Sequence, residues 1–198
     1  PDLIVSDVMM PRMNGYKLCK TIKEDINISH IPVILLTARD DRQSQISGYK
    51  NGADGYLSKP FEVEMLMELI RNRLKNREYT KKRYLNAGLI PTPEESTISL
   101  TDETFLIKLN SIIQENIENS NLGIQFICQE VGLGRSSLYN KLKALTGMGA
   151  NEYISKLRIE KAITLISGTD MPFSEIAEKT GFTTPSYFST AFKQYTGE

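Results

Sequence analysis

The sequence predicts an α/β unit built on parallel strands, followed by an all-helical unit, and three observations carry that prediction. Over the first 75 or so residues, short β-rich apolar runs alternate with longer helical patterns. Residues 76–100 turn polar and basic (REYTKKRY) and then rich in Gly, Pro and acids (GLIPTPEES). From Thr101 onward the strand alternation is gone, and helical signals follow one another. Alternating strand and helix patterns imply crossover connections, and hence a parallel sheet with helices packed on it.

In chain order, residues 3–5 read as a strand and residues 15–24 as a helix. Residues 32–36 are a strand, residues 42–51 a helix with Asp40 and Asp41 as its caps, and residues 55–57 a short strand. Residues 62–74 form a helix, because Val63, Leu66, Leu69, Ile70 and Leu74 fall on one face. Residues 76–100 read as a linker, since Gly and two prolines interrupt regular structure. A helix over 105–117 follows, with Thr101 as the cap before Asp102-Glu103, and Pro172 marks a later helix start.

Composition narrows the function classes. Forty per cent hydrophobic residues suffice for a packed core, while 24 basic and 24 acidic residues cancel, so average charge favours no polyanion partner. No stretch approaches the roughly 18 uninterrupted apolar residues of a membrane span, and PDLIVSD carries no basic export region. A soluble, cytoplasmic protein is expected. Cys19 and Cys128 suggest neither a disulfide framework nor a metal site, and His30 with Cys19 reads as ordinary packing. Without GxxxxGK[ST] or GxGxxG, a nucleotide-binding enzyme has no support, and no enzyme is expected.

Each predicted strand ends in a polar residue: Asp7, Thr37 and Lys59. Strand C-termini of a parallel sheet line one edge, where ligands bind, so the three side chains should converge. A carboxylate nucleophile beside a hydroxyl and an ammonium suits capture of a phosphoryl group. The strings DLIVSDVMMPRMNGY, IPVILLTARD and GADGYLSKPF, in that order, resemble the receiver domain of two-component response regulators, with its flavodoxin-like sheet, over residues 1–75. The resemblance implies Asp7 as phosphoacceptor, Thr37 as switch hydroxyl, Lys59 as phosphate-pairing lysine and Tyr56 as the aromatic that turns inward on activation. It also implies a backbone carbonyl from Met9 for Mg²⁺, a cis Lys59-Pro60 bond and a histidine kinase as phosphodonor. The chain opens at what would be the third of five receiver strands, without the acidic pair that anchors Mg²⁺. The expectation is that Mg²⁺ belongs to the intact receiver, that this fragment binds none, and that it is phosphorylated inefficiently.

In the second unit, IQFICQEVGLGRSSLYNKLKAL has the form helix, Gly-containing turn, helix. Phe173 to Tyr195 repeats that plan, with the matching helix starts Arg135 and Thr184 about 49 positions apart. Residues 150–166 form an amphipathic connecting helix of about 25 Å, long enough to place two reading helices about one DNA turn apart. The strings EVGLGRSSLYNKLKALTG, NEYISKLRIEKAITLI and FSEIAEKTGFTTPSYFSTAFKQYTG closely resemble the AraC/XylS-type DNA-binding domain over residues 120–198, within a helical domain expected to span residues 101–198. On that resemblance the base-reading candidates are Arg135, Ser136, Tyr139 and Asn140 in the first copy, and Thr184, Ser186, Tyr187 and Thr190 in the second. Arg135 suits guanine and Asn140 adenine. Lys141, Lys143, Arg158, Lys179 and Lys193 are phosphate-contact candidates.

Eight basic against six acidic residues between Gly123 and Gly197 imply modest affinity, strengthened when phosphorylation favours a homodimer. The implied partner is double-stranded DNA with two half-sites about one turn apart. Chains of this kind resemble the output end of hybrid sensors, whose parent can be membrane-anchored. The alternative is a phosphorelay adaptor whose helical unit binds protein.

Overall fold

The computed structural model describes residues 1–38, 52–87 and 99–197. Three strands, β1 (Ile4–Asp7), β2 (Val33–Thr37) and β3 (Gly55–Ser58), form a parallel sheet in the order β1-β2-β3. Ile4 pairs with Val33, and Ile34 with Gly55. The central β2 is the most apolar of the three, as a strand covered on both faces requires. Helix α1 (Gly15–Glu24) starts at Asn14, whose side chain accepts from the Lys17 N–H at 2.8 Å. It packs Cys19 and Ile22 against Val8, Val33 and Leu35. The predicted helix over 42–51, with its caps Asp40 and Asp41, lies outside the described residues.

Helix α2 (Val63–Ala87) runs 25 residues, so it extends past the predicted end at residue 74 and the first part of the segment read as a linker is helical. No Gly or Pro interrupts residues 63–87, and Lys81 pairs with Glu78 three residues earlier at 2.7 Å. The Gly- and Pro-bearing segment 88–98 lies outside the described residues. Helix α3 (Leu100–Glu115) is capped by Ser99, not Thr101: Ser99 has extended backbone and its hydroxyl accepts from the Asp102 N–H at 3.2 Å. Thr101 falls inside the first turn, where its hydroxyl donates to the Lys23 carbonyl at 2.9 Å.

Five more helices complete the chain: α4 (Ile124–Val131), α5 (Arg135–Thr146), α6 (Ala150–Gly168), α7 (Phe173–Lys179) and α8 (Pro185–Thr196). They enclose two cores that share α6. Tyr153, Ile154 and Leu157 join a core with α3, α4 and α5, while Ile159 and Ala162 join one with α7 and α8. Arg158 lies at the junction, where Nη2 donates to the Asn119 carbonyl at 2.7 Å and the guanidinium lies 6.0 Å from the Phe182 ring centroid. Gly181 (φ +74°) is tight against this point, since a Cβ there would strike the Ile117 carbonyl and the Arg158 side chain. The α/β unit packs on the first of these cores through Ile26. Among the described residues, no helix is long and apolar enough to cross a membrane.

Candidate functional site

The strand ends bring Asp7, Thr37 and Lys59 to one edge, as expected. The sheet continues one step past its strands: the Val8 N–H donates to the Leu36 carbonyl at 2.7 Å, and the Lys59 N–H to the Thr37 carbonyl at 2.6 Å. The Lys59 ammonium pairs with Asp7 Oδ2, and the Met9 N–H donates to Oδ1 at 3.0 Å. The hydrogen bond from Lys59, then that from Met9, holds the Asp7 carboxyl below its ordinary range, so it is a carboxylate at neutral pH. Gly15 begins α1 against this loop, where a Cβ would strike the Asp7 carbonyl. Thr37 is buried, and the Tyr56 hydroxyl lies 3.5 Å from that of Tyr16, its ring packed on the sheet core. The Lys59-Pro60 bond is cis.

Among the described residues, the donors at this edge do not make a Mg²⁺ site. Mg²⁺ requires near-octahedral oxygen ligation anchored by carboxylates. Asp7 is already committed to Lys59, and the described residues contain no cluster of three His, Cys, Asp or Glu side chains able to hold a metal ion.

In the helical unit, the chain between α4 and α5 turns at Gly132 (φ +72°) and that between α7 and α8 at Gly181. The two helix-turn-helix copies therefore share one local cause, a residue free to adopt the left-handed conformation. On α5, Arg135, Ser136, Tyr139, Asn140 and Lys143 are exposed together, and Arg135 Nη2 lies 3.4 Å from Gln125 Oε1. On α8, Ser186, Tyr187, Thr190 and Lys193 are exposed, along with the cap Thr184. Thr184 Oγ1 accepts from the Tyr187 N–H at 3.2 Å, and the Thr190 hydroxyl donates to the Ser186 carbonyl at 3.0 Å. Both hydroxyls thus already serve their own helix.

Two expected phosphate contacts are corrected. Lys141 is fully buried: its ammonium pairs with Asp102 of α3, takes the Ser29 hydroxyl as a further partner at 2.8 Å, and lies 5.1 Å from the Phe105 ring centroid. Arg158 is buried at the junction of the two helical cores. Neither faces solvent, so neither can reach a phosphate in this fold. Lys179 keeps partial exposure 3.9 Å from Glu175. The sequence reading missed Asp102 and Ser29, which complete the Lys141 cluster, with Ser29 coming from the α/β unit. A signal was present: Lys141 sits on the stripe Leu138, Leu142, Leu145, and Asp102 on the stripe Phe105, Leu106, Leu109.

Comparison with known proteins gives two family matches. Residues 1–71 match the response regulator receiver domain, and residues 127–198 match a helix-turn-helix domain. The chain is 43% identical over 194 residues to Histidine kinase P4 of Formosa agariphila, covering 98% of the chain and 14% of that relative. It is 30% identical over 162 residues to the probable transcriptional regulator ycf29 of Pyropia yezoensis, covering 76% of the chain and 73% of the relative. Among solved structures, the C-terminal domain of AraT, a response regulator from Geobacillus stearothermophilus, is 31% identical with a TM-score of 0.45. That alignment covers 48% of the chain and 78% of the solved one.

Proposed function

The chain belongs to the two-component response regulators, a receiver domain joined to an AraC-type helix-turn-helix domain, and from that premise we propose a phosphorylation-controlled, sequence-specific DNA-binding transcription regulator. Residues 1–75 are the receiver portion, residues 76–100 join it to the rest, and residues 101–198 read DNA. The protein works in the cytoplasm, and its parent is a hybrid sensor that also carries the kinase.

At the receiver edge, an Asp7 carboxylate oxygen attacks the phosphorus of a phosphohistidine on a histidine kinase. The P–N bond breaks, the imidazole nitrogen keeps the electron pair, and an acyl phosphate forms on Asp7. Lys59 then pairs with a phosphoryl oxygen, the Thr37 hydroxyl donates to another, and Tyr56 follows inward. Mg²⁺ would supply charge neutralisation only in a chain that brings more carboxylates to this edge. Phosphorylation favours a homodimer, which raises DNA affinity by joining two readers.

The observation that carries the reading is the pair of exposed faces, Arg135, Ser136, Tyr139 and Asn140 on α5 and Ser186, Tyr187 and Thr190 on α8, set on one shared helix. The 19 residues of α6 span about 28 Å, compatible with successive major grooves on one side of a duplex. Selection of bound DNA from a random pool by the whole chain tests it. Two short motifs about 10 to 10.5 base pairs apart are the expected enrichment. Folded protein that enriches no sequence, alone or as a dimer, would transfer the reading to a phosphorelay adaptor.

A further inference from the structure

The end of the sheet opposite Asp7 holds a second collection of charge that the regulator reading does not use. A cavity of about 70 Å³, several times what one water needs, lies between the lower edge of the α/β unit and the helices α3 and α5. Its wall carries Lys23, Arg73 and Arg77 against Asp54 and Asp102. Both carboxylates are already committed, Asp54 to Lys23 at 2.7 Å and Asp102 to the buried Lys141. Lys23 is also saturated, donating to the carbonyls of Ile31 at 2.9 Å and Ser29 at 3.3 Å.

That leaves the two arginines. Neither has an ion-pair partner among the described residues. Arg73 Nε is buried without a hydrogen-bond partner, and Arg77 has one bond, from Nη1 to the Asp2 carbonyl at 3.2 Å. Beside them, His30 Nδ1 is likewise buried without a partner, and burial followed by the Lys141 and Arg77 charges keeps the ring neutral. Buried polar groups are normally satisfied, so two orphaned buried nitrogens and two guanidinium groups without an ion-pair partner at one cavity point to a ligand by its chemistry. It is anionic, accepts several hydrogen bonds, and is small.

We propose that this interdomain cavity binds a small oxyanion of the phosphate class through Arg73, Arg77 and the Nδ1–H tautomer of His30. Two guanidinium forks and an imidazole N–H offer more donors than the roughly four lone-pair sites of a carboxylate can use, whereas a tetrahedral oxyanion presents acceptors in every direction. His30 of the α/β unit and Arg73 and Arg77 of helix α2 supply the donors, while Ser99, the cap of α3, with Asp102 and Leu145 of the helical unit closes the wall. An occupied site therefore stabilises the docked arrangement of the two units by mass action.

Inorganic phosphate is the probe, titrated into the whole chain by calorimetry and by thermal melting at pH 7.5 and constant ionic strength. Sulfate, acetate and chloride serve as parallel arms. The expected result is saturable phosphate binding with a rise in Tm of about 2 °C or more. Sulfate should act similarly, acetate weakly and chloride not at all. Arg73→Gln with Arg77→Gln should abolish the response, and Lys108→Gln, at an exposed position elsewhere, should keep it. If the Gln pair does not fold, Arg73→Lys with Arg77→Lys decides the matter, because it keeps the charge and loses the fork, weakening phosphate about tenfold or more. Phosphate binding undiminished in a folded arginine variant would place the anion elsewhere, for example beside Lys59, and overturn the proposal. So would equal responses to acetate and phosphate, or no response at all.

Discussion

Replacing Asp102 with Ala removes the carboxylate bonded to the fully buried Lys141 ammonium, and the structure sets both limits on the cost. Lys141 has 0% side-chain exposure and Asp102 2%, so the pair is insulated from water. Breaking such a pair by deleting one partner costs about 3 to 5 kcal/mol. Two residual contacts, the Ser29 hydroxyl and the Phe105 ring, favour the lower end. An upper limit comes from neutralisation, since shedding the lysine proton at pH 7 costs about 4 to 5 kcal/mol from an ordinary value near 10.4. Burial already pulls the Lys141 pKa down. The expected loss for Asp102→Ala is therefore about 3 to 4 kcal/mol, read by urea unfolding followed by far-UV circular dichroism.

The sign of the pH dependence is also determined. A lysine whose folded pKa is depressed holds fewer protons folded than unfolded, so the variant should gain stability as pH rises from about 7 toward 10. Pairing Asp102→Leu with Lys141→Met removes both charges and should recover most of the loss. A loss under about 1 kcal/mol for Asp102→Ala, or a double variant no better than the single one, would refute the reasoning.

Four further outcomes are expected. In a salt titration of DNA binding, Lys193→Ala should reduce the slope of log K against log salt by about one, while the double variant Asp102→Leu with Lys141→Met should leave the slope unchanged because the Lys141 side chain is buried. Asn140→Ala should cost about 1 to 3 kcal/mol of discrimination at one base pair, measured by competition with single-substituted sites. Gly181→Ala should destabilise the helical unit by about 2 kcal/mol or more, because its backbone is left-handed and its Cβ would meet the Ile117 carbonyl. His30, pushed down to about 4 mainly by burial, binds its proton more weakly folded than unfolded, so the stability it confers is present above about pH 6.5 and lost as pH falls toward 4. The wild type should lose no more than about 3 kcal/mol over that window relative to His30→Gln, and an identical pH profile for the two proteins would contradict the assignment.

Much of this protein was legible in local patterns. The strands at residues 3–5, 32–36 and 55–57 lie within one or two residues of those observed, because short apolar runs bounded by turn residues have few alternatives. The convergence of Asp7, Thr37 and Lys59 followed from strand polarity alone, since parallel strands place all their C-termini at one edge. Both helix-turn-helix copies followed from apolar spacing interrupted by glycines that turn out to have positive φ. The helix predicted over residues 62–74 runs on to Ala87, into the polar stretch read as the start of a linker, because nothing between residues 75 and 87 breaks a helix.

What the sequence alone determined were properties governed by neighbours in the chain: the period of an apolar face, the glycine at a turn, the polar residue ending a strand. Tertiary structure decided which charged residues meet water. Lys141 and Lys143 are two positions apart on one helix, yet one is buried against Asp102 and the other is exposed. Their difference arises from partners 39 and 112 residues away, Asp102 and Ser29, and from the docking of an α/β unit onto a helical one. Such long-range partnerships carry almost no local signature, because a buried ion pair requires only that two stripes, each interrupted by one opposite charge, come to face one another.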